Sequence, residues 1–213
     1  MKAVNKTFNG SILIIFLLIL AMSCSQDYMP KPKGFNRIDL PPHVYTLSPD
    51  SLPYRFEVSK YARITRDSSW VLMNEMKHRV SPGKPLTREK YWIDVVYDTL
   101  GADIEITYKE LHNEEELAKE YVTDAIRLTN KHQVKASGID ESIVRTQHGL
   151  TASISVLSGE VPSQVQFITT DSTEHFLRGA LYFKTATHND SLAPVINYIK
   201  VDIVHLLNTL QWK

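Results

Sequence analysis

The stretch TDSTEH, residues 170–175, brings Asp171, Ser172 and His175 together, the residue types of a nucleophilic triad. In a working triad an imidazole activates the serine and a carboxylate orients the imidazole, and the three groups usually come from separated segments. Here they stand between two apolar runs, where Asp and Ser bond their own backbone, so the sequence predicts a turn. The eight histidines are scattered. His132, flanked by Leu128 and Lys135, has no second ligand one helical turn away, and His205 reads as a partly exposed residue beside an apolar stripe, so no metal site is expected. Lys109, Lys119, Lys131 and Lys135 are interspersed with acids and read as solvated faces. No GxSxG elbow, Walker loop, GxGxxG turn or HExxH helix is present in the sequence. The expectation is a protein that is not an enzyme, with no catalytic residue, no metal and no bound cofactor.

One residue still asks for a chemical explanation. Cys24 is the only cysteine among 213 residues, so it cannot close an internal disulfide or build a thiolate metal site. It follows Lys2, Lys6, an unbroken apolar run from Ile12 to Met22 and the small residue Ser23. That is the layout of a secretory leader, and the run is shorter than the roughly 20 residues of a spanning helix. The stretch LAMSC resembles the lipobox of bacterial lipoproteins, with a good fit at Ser23, although Leu20 lies one place further from Cys24 than usual. The resemblance implies cleavage before Cys24, a diacylglycerol on its thiol and an N-acyl chain such as palmitate on the new amino group. Two or three chains anchor a protein stably, whereas one holds it only marginally. The organisation read from the sequence is a signal peptide over 1–23, a lipidated Pro-rich tether over 24–50 and one domain over 51–213.

Elements must then position whatever this anchor carries. Lys plus Arg and Asp plus Glu balance at 24 each, so bulk charge recruits neither nucleic acid nor an anionic surface. In the tether Pro30, Pro32, Pro41, Pro42 and Pro49 argue against regular structure. Phe35, Ile38, Leu40, Val44 and Tyr45 make it too apolar for a plain spacer, so its second half is expected to lie along the domain or a partner. Short runs between Leu52 and Ile64 read as edge strands. Residues 67–90 read as a loop with one extended piece near Trp70–Met73. KYWIDVVYD and ADIEITYKEL form a hairpin around Gly101. Asn113 with Glu116 reads as a capping box opening a helix over about 114–134. Four period-two runs after Gly138 read as an antiparallel meander. Asp190 reads as the cap of a last helix, with Pro194 in its first turn and Leu192, Val195, Ile196, Ile199, Ile203, Leu206, Leu207 and Leu210 as its buried stripe. Trp212 reads as closing that helix. The fold class is α+β: an antiparallel sheet of about six or seven strands packed with two main helices, the element order of the αβα sandwiches of the Mog1/PsbP-like class.

PKPKGFNRIDLP at 30–41, TDSTEHFLRGALYF at 170–183 and YIKVDIVHLLNTLQWK at 198–213 resemble the gliding motility-associated lipoprotein family GldD. The resemblance covers nearly the whole chain after the leader and is weakest over 67–90. It implies a lipid-anchored protein of the cell envelope, required for gliding motility and for the linked type IX protein secretion system. It further implies a non-catalytic assembly role beside other lipoproteins of that machinery, with Cys24 as the lipidation site. The outer membrane, with the domain facing the periplasm, is the expected location. Phe35, Arg37 and Ile38 are the expected contact with a partner lipoprotein. The competing reading is an envelope enzyme, or a small-ligand binder with a pocket between sheet and helix.

Overall fold

The computed structural model describes residues 38–66, 91–131, 136–184 and 189–213. A boundary after Phe35 divides the chain into two units, and every described residue lies in the second, Asn36–Lys213. Cys24, Phe35, Arg37, the expected loop over 67–90 and His132 lie outside the described residues.

The strands are β1 Tyr45–Leu47, β2 Tyr54–Arg55, β3 Glu57–Ser59, β4 Arg63–Arg66, β5 Ile93–Tyr97, β6 Ala102–Glu110, β7 Ala136–Arg145, β8 Thr151–Gly159, β9 Ser163–Thr170, β10 His175–Phe183 and β11 Gln211–Trp212. Helix α1, Glu115–Lys131, joins β6 to β7, and helix α2, Asn189–Thr209, follows β10. Seven strands form one sheet in the order β4-β5-β6-β10-β9-β8-β7, with every neighbouring pair antiparallel. The hairpin β5–β6 turns at Gly101, whose φ of 62° is costly for any residue with a Cβ. The chain then crosses by α1 to the far edge and returns through the meander until β10 pairs with β6. Two small ribbons, β1–β3 and β2–β11, complete the described structure.

Alternation along the strands assigns the helices to opposite faces. Ile104, Ile106, Val165, Phe167, Leu177 and Leu181 join the main core with Val195, Ile199, Ile203, Leu206 and Leu210 of α2. Phe176 and Ile168, one residue out of phase, pack instead with Ala118, Tyr121, Val122 and Ala125 of α1. The two-helix, seven-strand α+β class is thus the one expected.

Several local expectations change. The first helix opens at Glu115, and Asn113, with φ of 61°, is not its cap: its N–H bonds Thr173 O at 2.7 Å, and the Glu114 carbonyl accepts from Ala118 N–H. The chain needs the left-handed turn at His112 and Asn113 to leave β6 for the helix. The last helix already includes Asn189, so Asp190 lies inside it and Pro194 falls beyond its first turn. Lys109 is not a plain solvated residue, because its ammonium sits 5.1 Å from the centroid of the Trp92 ring. The tether is also not free of regular structure. β1 lies within it, Ser48 exchanges backbone and side-chain bonds with Phe56 N–H and C=O, and Ile38 packs against the main core, so residues 38–50 belong to the folded unit. Proline removes donors at Pro41, Pro42 and Pro49, yet the intervening residues keep theirs.

Gly179 faces Phe167 across β10 and β9, and a Cβ there would overlap the Phe167 ring. Both residues are buried, so the ring has nowhere to retreat. Gly179→Ala is expected to destabilise by about 1–3 kcal/mol in denaturant unfolding, the usual cost of overpacking, and by much less in a Phe167→Leu background.

Candidate functional site

The most concentrated polar chemistry in the core lies where the chain around His43 and Tyr45 meets α2. Asp202 sits on the apolar stripe between Ile199 and Leu206, and its side chain is only 3% exposed. A carboxylate so placed loses its hydration and must be compensated by donors or a counter-charge. Three donors converge. His43 Nδ1 lies 2.7 Å and Tyr45 OH 2.9 Å from Oδ1, while Tyr97 OH lies 2.8 Å from Oδ2. They come from the segment before β1, from β1 and from β5, so one carboxylate ties the N-terminal part of the described chain and the central sheet to the last helix.

The aromatic rings stack around this point. His43 lies on Tyr198 at 4.4 Å between centroids and Tyr45 on His205 at 3.6 Å, nearly parallel in both cases. His205 Nε2 in turn meets Glu57 Oε2 of β3 at 2.6 Å, so this histidine is a member of the network and more than a flank residue. Burial first, and then the bond to Asp202, push the pKa of the Tyr45 hydroxyl well above its ordinary value. Burial followed by the charge of Asp202 does the same to Tyr97. Both phenols are therefore neutral donors at pH 7. What the arrangement does is hold: it carries an Asp–His pair, but among the described residues no serine or cysteine is hydrogen-bonded to His43. Among the described residues no three His, Cys, Asp or Glu side chains are grouped to hold a metal ion.

The TDSTEH stretch is a turn. Asp171 Oδ1 accepts from the N–H groups of Thr173, Glu174 and His175 at 2.9–3.0 Å. Ser172 is left-handed, with φ of 66°, and its N–H bonds Thr170 Oγ1. No hydrogen bond joins its hydroxyl to His175, whose Nδ1 meets Tyr108 OH at 2.7 Å while its ring stacks on Trp212. Trp212 thus pairs β11 with β2 and seals this corner, beyond closing the helix. Burial, with Glu110 and Asp171 nearby, pushes the Tyr108 hydroxyl up to about 12. Burial alone would raise the Asp171 carboxyl, but the three backbone donors outweigh it and hold it below the usual carboxylate range.

Of the residues expected to bind a partner, Phe35 and Arg37 lie outside the described residues and Ile38 is committed to the core. The Asp202 network was absent from the sequence reading. Its signal was available: an acid three residues after Ile199 and four before Leu206 lies on the buried face of a helix and demands partners.

None of the curated proteins compared with the chain matches it. Among solved structures, the solution structure of cyanobacterial PsbP (CyanoP) from Synechocystis sp. PCC 6803 is similar at 7% identity and a TM-score of 0.40, over 84% of this chain and 98% of that one. The family model described as gliding motility lipoprotein GldD matches residues 25–212, from the residue after Cys24 to the penultimate position.

Asp202→Ala leaves the buried Tyr97 donor and the half-buried Tyr45 donor without their acceptor and is expected to cost about 3–5 kcal/mol in denaturant unfolding, against about 1.5–3 kcal/mol for Tyr97→Phe. For Asp171, a folded-state pKa below the ordinary value of 3.8 means that its stabilisation is present above that pH and lost as pH falls through the folded value. Between pH 5 and 3, wild type should lose stability in thermal melts, and Asp171→Asn should lose less over the same interval.

Proposed function

The chain belongs to the family of gliding motility lipoproteins GldD, and from that premise we propose that it acts non-catalytically, as an assembly or stabilising component of the gliding and type IX secretion machinery. It is a lipoprotein of the cell envelope with a role in gliding motility. Among the described residues no helix is long and apolar enough to cross a membrane. In the proposal, acyl chains on Cys24 hold it in the outer membrane with the domain facing the periplasm, and residues 25–37 lead to a body in which His43 and Tyr45 are bonded to the last helix.

The observation that carries this reading is the Asp202 junction. A flexible spacer would let the domain tumble at its anchor, whereas bonds from His43 and Tyr45 to a buried carboxylate fix where the chain leaves the body. A body held at a fixed exit point presents a defined surface to neighbouring lipoproteins. The contact residues assigned to the tether are then Phe35 and Arg37, with Ile38 serving as the inner limit because it packs on the core.

Affinity purification from detergent-solubilised envelopes, through a C-terminal tag, tests the reading. Wild type is expected to bring down gliding or secretion lipoproteins. Cys24→Ala should lose them, and Phe35→Ala with Arg37→Ala should lose them too while keeping the wild-type melting temperature. A normally lipidated protein that purifies alone would contradict an assembly role.

A further inference from the structure

The seven-stranded sheet ends on β4 at one edge and on β7 at the other. An edge strand leaves a row of backbone N–H and C=O groups without partners, and proteins blunt such edges by shortness, charge or a bulge. The β4 edge is blunted in two of these ways: it is four residues long and carries Arg63 and Arg66, the first of them paired with Asp98. The β7 edge is ten residues long. A bulge between Ala136 and Gly138 distorts only its start, and from Ile139 to Arg145 each residue meets one partner on β8 in regular register. Among the described strands only β8 pairs with it.

Alternation divides this regular stretch between the two faces of the sheet. Val144, opposite Ala152, packs on the main core on the α2 side. Glu141, Ile143 and Arg145 are one residue out of phase and so lie on the α1 side. Helix α1 packs on Ile168 of β9 and Phe176 of β10, two and three strands in from this edge. Ile143 is accordingly 78% exposed, more than any other large apolar side chain among the described residues. Glu141 and Arg145 are exposed as well, and among the described residues neither forms an ion pair.

An acid, an aliphatic and a base at every second position of one face are complementary to themselves when the strand is turned end for end. In a two-fold antiparallel pair one residue lies opposite its own copy, and that choice fixes every other pair. Centring on Asp140 or Glu141 sets like carboxylates against each other, which is destabilising. Centring on Ser142 sets Glu141 against Ile143, and centring on Val144 sets Arg145 against Ile143. Of these registers only the one centred on Ile143 sets Ile143 against Ile143 and Glu141 against Arg145 on both sides of the axis.

We propose that the β7 edge is the docking site of a second copy of this chain, joined strand to strand about Ile143. The two-fold axis then stands perpendicular to the sheet, so the α2 faces of both copies, with residues 38–50 on them, lie on one side of the joined sheet. That suits two chains tethered to one membrane, where confinement raises the effective concentration of partners that share only a narrow contact. The membrane argument rests on the lipid anchor proposed above; the strand pairing does not.

Cysteine cross-linking of the full-length, lipidated protein in isolated membranes tests the pairing, since an acylated Cys24 offers no thiol. Opposed residues of an antiparallel pair have Cα atoms about 4.5–5.5 Å apart, within disulfide range. Ile143→Cys is therefore expected to give a covalent dimer under mild oxidation, whereas Asp140→Cys, about 20 Å from its own copy in this register, should not. Adding Glu141→Arg or Arg145→Glu to Ile143→Cys sets like charges opposite each other and should slow cross-linking at least fivefold, and the two reversals together should restore it. Both side chains are exposed, so the melting temperature is expected to stay unchanged throughout. Absence of the Ile143→Cys dimer, equal cross-linking of Asp140→Cys, or indifference to the single charge reversals would overturn the proposal, as would capture of a different protein by a photo-cross-linking residue at position 143. Co-purification of gliding lipoproteins with a chain that fails to cross-link there would sink this pairing and leave the assembly reading standing.

Discussion

A carboxylate buried on the apolar stripe of the last helix is the constraint on which the rest of the molecule depends. Asp202 cannot be left dry and unpaired, and its two oxygens are satisfied from three distant parts of the chain. Apolar burial alone would hold α2 to the sheet, since Val195, Ile199, Ile203 and Leu210 already face Val95, Ile104 and Leu181 within the same core. Apolar contact has no direction, however, and would tolerate small slides of the helix. Hydrogen bonds from Tyr97 in β5 and from His43 and Tyr45 permit one position only. Stability comes mainly from the apolar core, and register from this one acid.

The same constraint explains why the anchor-proximal segment is ordered. Residues 38–50 carry three prolines, Pro41, Pro42 and Pro49, and the β1–β3 ribbon is too short to be stable alone. Stacking of Tyr45 on His205, the His205–Glu57 pair and the Asp202 bonds supply what the ribbon lacks. For a lipid-anchored protein of the envelope this matters mechanically, because residues 38–50 are held to the α2 side of the sheet.

Much of the fold was legible because it is local. Period-two runs such as Ile104, Ile106 and Tyr108 and the three- and four-residue steps of Val195, Ile199, Ile203 and Leu206 record which side of each element is dry. The helix starts were misread because capping depends on backbone angles, and the left-handed turn at His112 and Asn113 is imposed by the β6 to α1 corner. The TDSTEH turn was legible since Asp171 bonds its own neighbours. The Asp202 junction was not read, although a lone acid on a buried stripe marks its position, because its donors lie 159, 157 and 105 residues away.

The central claim is that Asp202 makes the anchor-proximal segment part of the domain, and native-state hydrogen exchange on the lipidated full chain tests it most directly. In wild type the account predicts protection of the Ser48 and Lys60 amides, which bond Phe56 O and Val44 O, at a level close to that of the α2 amides. In Asp202→Asn that protection should fall sharply while the β8–β9 amides stay protected. Fast exchange at Ser48 and Lys60 in wild type, or protection there that survives the loss of Asp202, would contradict it.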